Sequence, residues 1–199
     1  YPGVKLRLYG GTSRQAMEEL KSGAIDFAVA AVSGGEFPPL RETRLCSFRD
    51  VFVAGEEFSH FKGRSVSLEE LSRQPLICHR RGTLTFEFLE GIFKEHGLEL
   101  EPAMEPETSE LVLDLARHSL GIGFLPYRTA EEALKRGELF AVQTHEMLPE
   151  RRISLLEYEG HSLSLAARRL RDMLEEDAKA EASAVDHAEN VGQGDGVAP

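Results

Sequence analysis

The chain has 199 residues, 41% hydrophobic and 29% charged, with a formal net charge of −11 at pH 7. That length and balance allow a real core, in one domain or two small ones. The acidic balance argues against this chain itself gripping nucleic acid, which needs a basic footprint; no run approaches the ~20 apolar residues that span a bilayer.

In chain order, VKLRLY (4–9) alternates apolar and polar residues, the pattern of a strand with one buried face. Thr12 or Ser13 then caps a helix over RQAMEELKSG, with Ala16, Met17 and Leu20 on one face and Gly23 as its stop. AIDFAVAAV (24–32) is a nearly continuous apolar run, as in a strand covered on both sides. Strand, helix and strand together predict a βαβ unit with parallel strands.

RLCSFRD and VFVAGEE read as strands, SLEEL as a short helix and PLICH (75–79) as a buried strand. Thr83 or Thr85 caps a helix ending near His96–Gly97, PAMEPE is extended, and Thr108 or Ser109 caps ELVLDLARHSLG. GIGFLP is a strand, Thr129–Arg136 a helix, LFAVQ and RRISLLEY (151–158) strands, and LSLAARRLRDMLEE an amphipathic helix. From Glu176 to Pro199 the residues are small, polar or glycine, with almost no large apolar ones, which predicts a disordered tail. Cys46 and Cys78 form no disulfide framework and read as buried small hydrophobes in a reduced, cytoplasmic setting.

The expected class is therefore α/β with mostly parallel sheets. In such sheets ligands sit at the carboxyl ends of strands, near helix N-termini whose free N–H groups favour anions. That selects the loops 10–13, 79–85 and 106–110, each carrying hydroxyls. Within HRRGT (79–83), Arg80 can grip an oxygen pair with its planar fork, His79 and Thr83 can add contacts, and Gly82 lets the backbone approach. Arg81 reads as a solvated surface charge, and Thr85 as a further hydroxyl. The remaining histidines show no metal-ligand spacing, so no metal and no cofactor is expected. Cys78 and His79 are neighbours that point to opposite faces of a strand, wrong for a nucleophile pair, and no G-x-S-x-G, P-loop or dinucleotide fingerprint is present.

Three stretches carry a family resemblance: YPGVKLRLYGGTSRQAMEELKSGAIDFAVA, FVAGEEFSHFKGRSVSLEELSRQPLI and LVLDLARHSLGIGFLP, with RRISLLEYEGHSLSLAARRLRDML after them. In order and spacing they resemble the effector-binding domain of LysR-type transcriptional regulators over residues 1–175. The resemblance implies a type 2 periplasmic-binding-protein-like fold: two Rossmann-like subdomains joined by crossover strands, with an effector in the cleft. Lobe I would be 1–77 plus 158–175, lobe II 78–157, and 176–199 the tail. The family's first strand and helix of lobe I are expected to be missing ahead of Tyr1, leaving strand edges unpaired.

The resemblance further implies a sensing domain, not an enzyme, and Ser13 matches a position where the family often has a ligand-contacting Ser or Thr. The residues themselves, with an Arg pair where many members of the family carry an acid, point to a small anionic effector held by Thr12, Ser13, His79, Arg80, Gly82, Thr83, Thr108 and Ser109, with Phe124 walling the cleft. The resemblance also implies a homodimer or homotetramer, and DNA contact only through an N-terminal helix-turn-helix not in this chain. The alternatives on the same fold are a transporter's solute-binding protein and a transferase.

Overall fold

The computed structural model describes residues 1–33 and 36–191, side chains 181–191 excepted. Two compact units result, one from residues 1–47 with 152–199 and the other from Phe48–Arg151. Residues 48–77 thus lie with the second unit, where the sequence had placed them in lobe I. The reason is strand pairing. Strand β3 (Asp50–Ala54) lies between β6 (Ile122–Pro126) and β7 (Phe140–Thr144), so both its strand partners come from the later segment.

In the first unit, Thr12 caps α1 (Ser13–Ser22) through a capping box: Gln15 N–H donates to the Thr12 hydroxyl and Thr12 N–H to the Gln15 side-chain oxygen Oε1. Met17 and Leu20 are its buried face, and Gly23, at φ 73°, ends it. A three-stranded sheet follows the order β1 (Ala28–Val32), β8 (Arg151–Tyr158), β2 (Leu40–Phe48). β1 runs antiparallel to β8, Ala28 facing Leu156 and Val32 facing Arg152. Glu42 on β2 takes the Arg152 guanidinium through both oxygens and accepts from the Ser154 hydroxyl at 2.6 Å. Buried Glu157 sits between Arg41 at 2.5 Å and Arg171 at 3.2 Å.

Three expectations change in this unit. Residues 4–9 form no strand, no described strand pairs with them, and Val4, Leu6 and Leu8 are 49%, 60% and 86% exposed. Alternation describes the segment alone, whereas burial needs a neighbouring strand. Cys46 is exposed on β2, an edge strand, while Cys78 is buried. Finally, α6 (Leu165–Val191) continues past Glu176 where disorder was expected. DAKAEASAVDHAEN carries alanine, glutamate and lysine, which favour helix without a large apolar face. The remainder of the expected tail, 192–199, lies outside the described residues.

In the second unit, the five-stranded sheet has the order β4 (Ser65–Val66), β7, β3, β6, β5 (Leu76–Ile77). β3 is antiparallel to both neighbours, while β5 pairs parallel with β6 and β4 with β7, so the sheet is mixed rather than mostly parallel. Period-2 alternation sorts its side chains into two layers. Phe52 and Phe124 pack with α2 (Leu68–Ser72), α3 (Leu84–Glu95) and the 3₁₀ turn at Glu56–Phe61; Val53 and Leu125 pack with α4 (Ser109–Arg117) and α5 (Tyr127–Lys135). Each fully buried Phe or Leu contributes roughly 1.5–3 kcal/mol.

Gly121 and Gly123 explain the G-I-G of the sequence: a Cβ on Gly121 would run into the Pro75 carbonyl, and one on Gly123 would press Val112 at 3.0 Å. The stretch is therefore a packing requirement where helix α4 returns to the sheet. Among the described residues, no helix is long and apolar enough to cross a membrane.

Candidate functional site

The site is built from the carboxyl end of β5. Two backbone bonds, Cys78 N–H to the Met104 carbonyl at 3.2 Å and Arg80 N–H to the Pro106 carbonyl at 3.1 Å, continue the strand beside extended residues 103–106. The alignment is parallel, with Ile77 opposite Met104. Two adjacent parallel segments thus end together, and each leads into a helix N-terminus: α3 after Thr83 and α4 after Thr108. Those termini leave N–H groups without intrahelical partners, and both dipoles point positive ends to this rim.

The hydroxyls divide by task. Thr83 accepts from Phe86 N–H at 3.2 Å and donates to the Arg80 carbonyl at 2.8 Å, which ties the cap to the strand end. Gly82, at φ 82°, makes the turn between them, with open space around its α-carbon; the requirement is conformational. Thr108 accepts from Leu111 N–H at 3.3 Å, which frees Ser109, the next residue, to reach His79 Nε2 at 3.1 Å.

His79 is only 9% exposed and its Nδ1, itself buried, has no hydrogen-bond partner. Burial first, and the nearby Arg151 charge second, hold its pKa below the usual 6.5, against the opposite pull of Asp50 and Glu110. The imidazole is therefore neutral at pH 7.

The basic triplet is not a free cationic patch. Arg81 folds onto Glu105, which takes its backbone N–H at 3.0 Å and its Nε at 3.1 Å, and lies over the Phe86 ring. Arg80 stands 3.5 Å from Glu107 with 55% of its side chain exposed, so its cation remains reachable. Phe124 does not wall the site: its ring is buried in the core, 4.9 Å from Phe52. Thr12 and Ser13 lie in the first unit, where Thr12 caps α1 and the Ser13 hydroxyl donates to the Ala31 carbonyl at 2.9 Å. Among the described residues, no group of three or more His, Cys, Asp or Glu is placed to hold a metal ion.

Two residues that sequence reasoning missed stand behind α3. Arg151 donates through Nε and Nη2 to the Asp50 carboxylate at 2.6 and 2.9 Å, and through Nη1 to the Thr85 hydroxyl at 2.9 Å. Both charged side chains are buried, at 1% and 0% exposure. The guanidinium also lies 4.7 Å from the Phe48 ring centroid and 5.2 Å from that of Phe88. The only sequence signal was a lone acid before VFVA and a basic residue opening an apolar strand, 101 positions apart.

Two α/β units, with the chain crossing from one to the other and back, make the fold of the type 2 periplasmic-binding-protein class. The model of the LysR substrate binding domain family matches residues 1–179, and the chain belongs to that family. The HTH-type transcriptional regulator YeiE of Escherichia coli is 28% identical over 176 residues, 86% of this chain and 58% of that protein, so the chain spans little more than half the relative's length. The regulatory domain of CcmR from Synechocystis, solved in complex with 2-PG, superposes with a TM-score of 0.79 at 19% identity, covering 90% of this chain and 86% of that one. The effector-binding domain of QuiR, in complex with shikimate, gives 0.74 at 18% identity, covering 85% and 79%. Those two likenesses establish the fold.

Proposed function

We propose that the second unit binds a small anionic effector at the rim formed by His79, Arg80, Gly82, Thr83, Thr108 and Ser109, and that the chain is the sensing part of a LysR-type transcriptional regulator in the cytoplasm. The observation that carries this reading is the meeting of two helix N-termini at adjacent strand ends beside the exposed Arg80 guanidinium. The ligands of the two similar structures, 2-PG and shikimate, are both acids, which agrees with it. The domain senses rather than turns over its ligand, as the name of the relative suggests. Thr12 and Ser13 are held within the first unit, Thr12 as the cap of α1 and Ser13 on the Ala31 carbonyl. Binding would shift the populations of the domain's conformations and so the geometry of a homodimer or homotetramer whose DNA contact is made by a helix-turn-helix segment outside these residues.

The test is a melting-temperature and calorimetric screen of the protein with sulfate, phosphoglycolate, shikimate and benzoate. At least one anion should bind saturably. Arg80→Ala should weaken that binding by about 1.5 kcal/mol, the scale of a hydrogen bond to a charged group, without lowering the ligand-free melting temperature. If no anion saturates the folded protein, the reading is wrong.

A further inference from the structure

Thr85 is the second residue of α3, half-buried at the rim, and its oxygen already accepts from the Arg151 guanidinium at 2.9 Å. Arg151 cannot turn away. Its other donors are fixed on the Asp50 carboxylate and its flat faces on Phe48 and Phe88, in a pocket where it is 1% exposed. A hydroxyl that accepts from a buried cation is polarised: its oxygen becomes a poorer acceptor and its proton a better donor. Among the described residues, that proton makes no hydrogen bond. A second group points the same way: His79, more than nine-tenths buried, leaves Nδ1 without a partner next to the α4 terminus.

Resting on the effector-site reading above, we infer that Thr85 is a specificity-determining residue, a hydroxyl set by the Arg151–Asp50 pair to donate to an oxygen of the effector. Arg151 is a positioning residue that acts through Thr85 and touches no ligand. The rim then presents donors: N–H groups at two helix starts, the Arg80 fork and the Thr85 hydroxyl. It selects a ligand whose oxygens only accept, such as a carboxylate, sulfate or phosphomonoester, over one that offers ammonium or amide donors there.

The test uses the intact protein with whichever of sulfate, phosphoglycolate and shikimate saturates the wild type. Thr85→Val keeps the shape and removes the hydroxyl; it should raise Kd about tenfold or more, the scale of a charged hydrogen bond. Thr85→Ser should stay within about twofold of wild type and keep its ligand-free melting temperature, whereas Thr85→Val, which leaves the buried Arg151 Nη1 without its acceptor, should melt lower, so binding is compared well below that transition. Arg151→Lys should weaken binding in the wild type but add nothing in the Thr85→Val background, since a residue acting through Thr85 loses its effect once the hydroxyl is gone. A purely structural arginine would weaken both backgrounds alike. If Arg151→Lys fails to fold, the Thr85 pair decides alone. Saturable binding unchanged by Thr85→Val overturns this inference and leaves the effector site standing; no saturable binding of any of the three by the wild type overturns both.

Discussion

Removing the Asp50 carboxylate leaves the Arg151 guanidinium buried without its counter-ion. Its side chain is 1% exposed and loses both carboxylate bonds, at 2.6 and 2.9 Å. Breaking one half of a buried pair costs about 3–5 kcal/mol. Here the Thr85 hydroxyl and two aromatic faces remain; cation–π contacts of about 0.5–2 kcal/mol keep the loss near the lower end. Asp50→Ala should therefore cost about 3 kcal/mol, a large part of the roughly 5–15 kcal/mol that holds a domain folded. Urea unfolding followed by circular dichroism measures it, since the chain has no tryptophan. The control is Glu69→Ala, which breaks a pair with Arg73 whose side chains are 63% and 71% exposed and should cost under about 1 kcal/mol. Asp50→Leu combined with Arg151→Met should recover most of the loss, because no charge is stranded. The reasoning fails if Asp50→Ala costs no more than Glu69→Ala.

His79 is held neutral below its usual 6.5 by burial and by Arg151, while the unfolded chain takes up a proton there. Its contribution to stability thus falls as pH drops from about 6.5 towards the folded value, by at most about 1.4 kcal/mol per pH unit, and is constant above that window. His79→Gln should flatten the acid slope of urea stability, and an unchanged slope would remove His79 as its source. Burial pushes the Cys78 thiol up to about 12, whereas Cys46 is exposed. Iodoacetamide at neutral pH should label Cys46 alone in the folded chain, and equal labelling by peptide mass would contradict the placement of Cys78. Gly121→Ala should cost at least about 2 kcal/mol, by a clash with the Pro75 carbonyl and Ile77 that neither strand can relieve. A melting temperature like wild type would mean β5 and β6 lie farther apart than described.

Local signals made much of this fold legible. Helices α3 and α4 begin and end near the predicted caps, and RRISLLEY is β8 residue for residue. The Thr-or-Ser ambiguity at two helix starts resolves the same way twice: Thr12 and Thr108 cap, and the serine that follows each reaches another element, Ala31 for Ser13 and His79 for Ser109. Spacing alone could not assign those roles, because Thr and Ser are both good caps. What stayed hidden was pairing at long range. The alternation in 4–9 could not say whether a strand lies beside it, and the antiparallel course of β3 depends on partners some 70–90 positions later. Asp50 and Arg151 were invisible as a pair for the same reason.

The basic triplet HRRGT looked like a cationic grip in an acidic chain, and magnitudes now separate its three members. The Arg81 charge is tied to Glu105 through Nε, with the Arg81 backbone N–H on the same carboxylate, and His79 carries no charge at pH 7. Only Arg80 is available, and its link to Glu107 is loose, at 3.5 Å between side chains 55% and 74% exposed. An exposed pair of that kind contributes about 0–1 kcal/mol. A hydrogen bond from a guanidinium to an anion contributes about 1.5–3 kcal/mol. On the proposed reading, an incoming anion would displace Glu107 at a net gain, where helix termini and hydroxyls already offer donors. Affinity at this rim would then come from oriented donors and one exchangeable cation, and an acidic domain would hold an acid without a basic surface.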